Sequence, residues 1–510
     1  MRNKYDPLAN TLTLLYALIP IVIFFIGWLR PIYSIPATIV LIYSALVHIK
    51  LNEKRTGFTE LKVDWKKTVL IALVAFIWVY CSGIGGYTNQ EWDHHARNAI
   101  FYDLLTFDWP IYYDFPPDYH FKALAGKHLS LNYYFTFWLP AACFGKLFGE
   151  QMANAFLLFW AYLGLLLSFY YLNRLFNFKY SLVCTGLFIF WSSYDLVGYL
   201  FFTRIIHTIN FLSETNYFKF YTSFTSNLYN PFNQTVPAWL LTLYILNDSK
   251  KLQIFPAVML LAYSPFAFMG LATAHGLYYL LAAYRTDKKI LTYWRELIQA
   301  LWRLDTVGAL IILMIYGLFY QAHSTAIQNV SFWSLYRTTN FLLNIFLIID
   351  YLMAFFLEIG IYLVFIYFMA KRTYCSYKIW FWLIMVVLLL LPLWIIGANS
   401  DLATRGSIPF LTVLLVMTLT ALIEVYENPI RRHQFYIILC VLFLSFQWPA
   451  NSMIRSLSFT DKPIRQNAVG SLADPKLDEL NDPANMSSSM NNFYSHEPQH
   501  YLFYQYVAKR

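Results

Sequence analysis

The sequence predicts an all-α polytopic membrane protein, with about 13 transmembrane helices and a large first external loop carrying short membrane-parallel helices. Composition is the first ground: 59% of the 510 residues are hydrophobic, 20% are aromatic and only 13% are charged. The second is that apolar segments recur at lengths close to the roughly 20 residues that cross a bilayer core, which one cleaved signal peptide does not explain. The third is that lysine and arginine gather in short connections between those segments, as the positive-inside rule expects. The net charge of +9 is thereby accounted for without a nucleic-acid partner. Cys81, Cys143, Cys184, Cys375 and Cys440 are scattered in apolar surroundings with no C-x-x-C spacing, so they read as small core residues rather than disulfides or metal ligands.

In chain order, Arg2 and Lys4 precede a first span at 8–29, and a second follows at 32–49. Lys50, Lys54, Arg55, Lys62, Lys66 and Lys67 then mark a cytoplasmic connection, so that a third span at 68–86 delivers the chain to the outer side. The segment 131–149 is apolar but holds Pro140, Gly145 and Lys146. If it dips into the outer face, with the next span at 152–172, every later basic loop falls inside: Lys250–Lys251, Arg285 with Lys288–Lys289, Lys371–Arg372 and Arg431–Arg432. Residues 289–304 form an amphipathic cytoplasmic helix. Two regions result: a membrane-embedded unit, 1–450, whose external loop 87–130 carries the chemistry, and an external tail, 451–510, whose aromatic end docks on the outer face.

The stretch 83–110, GIGGYTNQEWDHHARNAIFYDLLTFDWP, concentrates acids, two histidines and an arginine in a chain with few charges. Thr88 and Glu91 match a T-x-x-E capping box, so a helix is expected from about Asn89 until Pro110 stops it. That helix pairs Asp93 with Arg97 at i,i+4. Glu91 then has a capping role, which leaves Asp93 as the freer carboxylate. Asp93 is either a general base for a hydroxyl that becomes a nucleophile, or a solvated partner of Arg97. His94 and His95 beside Glu91 raise a possible divalent metal, but adjacent histidines point to different sides of a helix and only a distant residue such as His120 would complete a site. No metal ligand is assigned. Asp103 and Asp108 are expected to solvate the helix.

Arg405, with Asp401 to orient it in a short external loop, either clamps a phosphate through two parallel bonds or anchors lipid headgroups. Lys127, Arg204, Lys146 and Arg337 are further cations on the same face. Tyr133 and Tyr134 belong to an interfacial aromatic belt or, secondarily, to a platform for sugar rings. No P-loop, G-x-G-x-x-G, H-E-x-x-H or G-x-S-x-G signature is present.

Three stretches, EWDHHARNAIFYDLLTFDWPIYY, NYYFTFWLPAACFGKLFG and DLATRGSIP, together resemble the GT-C superfamily of polytopic glycosyltransferases, in particular a bacterial branch related to protein mannosyltransferases and aminoarabinose transferases. The resemblance implies an inverting transfer of a sugar from an undecaprenyl-phosphate or similar polyprenyl-phosphate donor to a glycan, lipid or protein acceptor, at the periplasmic face of the bacterial inner membrane. It carries the base role to Asp93 and a substrate-phosphate role to Arg405; from their place on the same external face, Glu91, His94, His95, Arg97, Lys127, Arg204, Tyr133 and Tyr134 are expected as surrounding substrate contacts. Two other readings stand beside it: a transporter or flippase of lipid-linked sugars, for which Asp350 and Glu358 within apolar runs speak, and a polysaccharide polymerase or ligase.

Overall fold

The computed structural model describes residues 6–53, 64–90, 93–119, 124–194, 221–247, 252–285, 290–323, 329–332, 334, 339–397, 400–458, 470–474 and 493–509. It is predominantly helical. Among the described residues, six helices are long and apolar enough to cross a membrane: Pro7–Trp28, Pro31–Leu51, Glu150–Leu175, Leu304–Gln321, Phe341–Met369 and Asp401–Glu427. A bent pair, Pro429–Ser445 with Gln447–Ser458, adds a seventh if it is one span. The chain is thus an all-α membrane protein, and other apolar stretches form shorter helices, such as the 15-residue Phe232–Leu246.

Local chemistry fixes the helix starts. Pro7 opens the first helix, where its missing N–H costs nothing, and the Asp6 carboxylate accepts from the Ala9 N–H at 3.1 Å. The expected third span is the 16-residue helix Trp65–Tyr80, capped by Asp64. Segment 131–149 resolves into the helix Leu139–Phe148, whose 10 residues rise about 15 Å, too short for a bilayer core. Gly149, at φ +89°, then turns the chain into the helix Glu150–Leu175.

Among the described residues, five three- or four-residue strands depart from the all-α expectation: β1 (Tyr112–Asp114), β2 (His128–Leu131), β3 (Asn329–Ser331), β4 (Trp394–Ile396) and β5 (Tyr494–His496). The antiparallel order β1-β2-β5 sews the C-terminal region to the first large loop, and β3 pairs with β4. The boundary expected at 450/451 falls inside the helix Gln447–Ser458. The chain end docks firmly: Arg30 donates to the carbonyls of Gln505 and Ala508 at 2.7 and 2.9 Å, and Phe503 packs on Phe24 and Phe319. The aromatic core beneath the loop, with Phe24, Trp28, Phe135 and Tyr316 at its centre, is the platform on which the site is built.

Candidate functional site

The helix His94–Thr106 starts later than the capping box implies. The Thr88 hydroxyl donates to the Tyr80 carbonyl at 2.8 Å, so it is not capping a helix at Asn89. Asp93 occupies the N-cap position but makes no side-chain capping bond, which leaves its carboxylate for Arg97 at 2.9 Å. Arg97 is 5% exposed and also donates to the Asn230 carbonyl, while its Nε has no partner among the described residues. His94 is buried too. Its Nε2–H donates to the Tyr229 carbonyl at 2.6 Å, so Nδ1 is the acceptor facing the Gln90 amide at 3.3 Å, and the ring stacks on Phe232. Gln90 in turn reaches the Gly83 carbonyl and Asn98. Desolvation, reinforced by the Arg97 charge, lowers His94 to about 4, so the ring is neutral. His94 is therefore a structural pin rather than a substrate contact.

Arg405 comes from far along the chain to the same place. The short helix Asp401–Gly406 sets Asp401 and Arg405 3.4 Å apart and Arg405 Nη1 2.9 Å from the Thr404 hydroxyl; Arg405 Nε has no partner among the described residues. The turn admits little else: a Cβ on Gly397 (φ +85°) would collide with the Asp401 carboxylate, and one on Gly270 with the Gly406 carbonyl oxygen. Burial alone would raise the Asp93 carboxyl, but the charges of Arg97 and Arg405 outweigh it and hold Asp93 below the usual carboxylate range. The carboxylate is nonetheless 38% accessible.

Tyr133 and Tyr134 lie beside these charges, with ring centres 4.7 Å apart, and the fields of Asp401 and Arg405 reach both. Burial pushes both phenols up, so they are neutral donors. Tyr134 lies against Tyr320 and His323, at 5.7 and 6.2 Å between ring centres. His323 donates from Nδ1 to the Asn132 carbonyl at 2.9 Å, and burial lowers its pKa; its Nε2 is the acceptor nitrogen. The whole can orient a hydroxyl beside a carboxylate, with two guanidinium Nε–H groups available to an anion.

Of the sequence candidates, Asp93, Arg97, Arg405, Tyr133 and Tyr134 converge. His95 is 9% exposed, and burial lowers its pKa. Lys127 lies apart on the exposed turn between β1 and β2, where its charge acts on His496. Glu91, Arg204 and His120 are outside the described residues. Among the described residues no three histidine, cysteine, aspartate or glutamate side chains gather into a metal site. Lys146 donates to the Phe107 carbonyl at 2.6 Å and sits 5.2 Å over Trp109, which makes it a strut of the loop. Asp103, expected to be solvated, is fully buried: its Oδ2 accepts from the Tyr113 hydroxyl at 2.7 Å and the Leu472 N–H at 3.1 Å, and burial pushes it up to about 6. The sequence reading placed His323 in an external segment without giving it a role, and it missed the carbonyls of Tyr229 and Asn230. The Asn230–Pro231 dipeptide ahead of the helix Phe232–Leu246 was the available signal, since it marks a turn.

Comparison with protein-family models, with curated proteins and with solved structures finds no match.

Proposed function

We propose that the chain is an inverting glycosyltransferase of the GT-C type, crossing a bacterial cytoplasmic membrane about 13 times and working at its external face. The observation that carries the reading is the meeting of the Asp93–Arg97 pair with Arg405 from a distant part of the sequence, with an accessible carboxylate and, among the described residues, no partner for the Nε atom of either arginine. An acceptor hydroxyl oxygen attacks C1 of the sugar, and its proton passes to Asp93. The C1–O bond to the polyprenyl phosphate breaks from the opposite face, and the electron pair leaves on the phosphate, which Arg405 stabilises. Arg97 keeps Asp93 ionised and aimed. Tyr133 and Tyr134 are the wall against which a sugar ring packs.

One experiment tests both halves with purified protein and a polyprenyl-phosphate-linked sugar. Asp93→Asn removes the proton acceptor and is expected to slow transfer by about 10²–10⁴ while leaving donor binding intact. Arg405→Lys keeps the charge but loses the planar two-pronged donor, so donor binding weakens about tenfold or more. Normal transfer by Asp93→Asn sinks the base assignment; unchanged donor use by Arg405→Lys returns that residue to headgroup anchoring.

A second reading, a carrier of lipid-linked sugars, draws on Glu358, 4% exposed within the π-helical turn Phe356–Gly360 of the apolar run Phe341–Met369. Its mark would be movement of the lipid-linked sugar across vesicles with Asp93→Asn in place.

A further inference from the structure

The end of the bundle remote from Arg405 holds a concavity. A cavity of about 330 Å³ lies among the last turn of the helix Glu150–Leu175, the turn that follows it, the short helix Lys371–Ser376 and the last turns of the helix Ile408–Glu427. That last helix has 20 residues, so the cavity is separated from Arg405 by about 30 Å, one bilayer core. Leu175, Phe176 and Ile423 give it an apolar wall, and Lys179, Arg372, Ser376, Glu424 and Glu427 give it a polar side. The turn beside it holds Asn177 and Phe178 at φ +50° and +59°, a conformation side-chain-bearing residues seldom adopt.

Charge bookkeeping on the polar side selects the ligand. Glu424 is engaged: its oxygens accept from the N–H groups of Arg372 and Thr373 at 3.0 and 2.7 Å and from the Thr373 hydroxyl at 2.7 Å. Glu427 is engaged as well, accepting from Lys179 and from the Tyr180 hydroxyl, each at 2.7 Å. The guanidinium of Arg372, by contrast, donates no hydrogen bond among the described residues, and the neighbouring charges Arg174, Lys371, Arg431 and Arg432 are basic. The lining itself is balanced, Lys179 and Arg372 against Glu424 and Glu427, with the Arg372 charge also acting on Glu427; the positive surplus comes from the flanking Arg174, Lys371, Arg431 and Arg432. It sits at a span end, where a bilayer places headgroups, and above an apolar wall.

We propose that this cavity binds the phosphate headgroup of an anionic phospholipid. Arg372 is the principal ligand, Ser376 adds a hydroxyl donor, Lys179 closes the rim, and the acyl chains follow the wall of Leu175, Phe176 and Ile423. The site is independent of sugar transfer. Bound there, the lipid bridges the 175–180 turn to the helix Lys371–Ser376.

The test uses the full chain in nanodiscs of phosphatidylcholine doped with phosphatidylglycerol, reading lipid retention by native mass spectrometry. Wild type is expected to retain phosphatidylglycerol over phosphatidylcholine by about tenfold. Arg372→Gln abolishes that preference by removing the charge, and Ser376→Leu abolishes it by filling the cavity with charge unchanged; Lys371→Gln, one residue outside the lining, preserves it. Phosphatidylcholine retention in each variant controls for folding, and Ser376→Leu decides alone if Arg372→Gln fails to fold. The proposal falls if Ser376→Leu keeps the preference or if Lys371→Gln loses it as fully as Arg372→Gln, which would make it diffuse surface attraction. It falls equally if millimolar inorganic phosphate displaces phosphatidylglycerol completely, since the site would then belong to the free ion.

Discussion

His94 is the residue at which the chemistry of the loop can be read from stability alone. A free imidazole titrates near 6.5, and in the folded chain, buried between Gln90 and the Tyr229 carbonyl beside Arg97, it titrates at about 4. Between those values the unfolded chain binds a proton that the folded chain refuses, so the contribution of His94 is complete above pH 6.5 and is lost as pH falls through 4. A shift of this size is worth up to about 3 kcal/mol. Asp103 runs the other way: raised from 3.8 to about 6, it contributes below pH 3.8 and loses its contribution as pH rises through 6. The two slopes oppose each other in wild type, so the informative quantity is the difference between wild type and His94→Gln, in which Asp103 cancels. That difference in thermal midpoint is expected to shrink from pH 7 to pH 4.5; a constant difference would mean that His94 takes up a proton as readily in the folded chain as in the unfolded one. In the sequence His94 was legible as part of an acidic and histidine-rich cluster, yet its role was not, because its distant partner is the backbone carbonyl of Tyr229, which carries no side-chain signature.

At the scale of elements, the sequence reading succeeds where a helix is decided by its own residues and fails where another element competes for them. Pro7, with Asp6 ahead of it, starts the first helix where the reading puts the first span. Thr88 and Glu91 form as good a capping signature, but the Tyr80 carbonyl takes the Thr88 hydroxyl and the helix starts at His94. The small strands were illegible because three residues offer no alternation to detect. The helix crossing that seats Arg405 was illegible for a different reason: Gly270 and Gly406 meet only in three dimensions, and each is unremarkable in its own segment. The crossing yields a paired prediction. Gly270→Ala drives a methyl into the Gly406 carbonyl and must push the 401–406 turn away, at a cost of about 1–3 kcal/mol, so polyprenyl-phosphate binding weakens. Gly276→Ala on the same helix meets nothing within 4 Å and should stabilise the helix by about 0.5–1 kcal/mol with binding unchanged. Equal binding by the two variants would detach the crossing from the position of Arg405.

For the whole molecule, hydropathy made the membrane class legible, whereas the meeting of Asp93 with Arg405 was beyond it, since periodicity reports which face of a helix is apolar and says nothing about which distant segment covers it. The sheet and the long helix nevertheless fix a relation between compartments. β2 pairs with β1 on one side and β5 on the other, so residues 112–114 and 494–496 must share one face of the membrane. The helix Asp401–Glu427 carries Arg405 at one end and leads to the 84% exposed Ile430 beyond the other. In a background where the exposed Cys375 and Cys440 are replaced by serine, single cysteines at Asp118 and His500 are expected to react with a membrane-impermeant thiol reagent in intact cells. Cysteines at Ile430 and Lys371 should react only after permeabilisation. Opposite behaviour of positions 118 and 500 would be incompatible with the β1-β2-β5 sheet. Joint labelling of 118 and 430 would deny that the helix spans at all. A complete reversal, with 430 and 371 outside, would leave the fold standing but place Asp93 in the cytoplasm, and a sugar donor presented from the outer leaflet could never reach it.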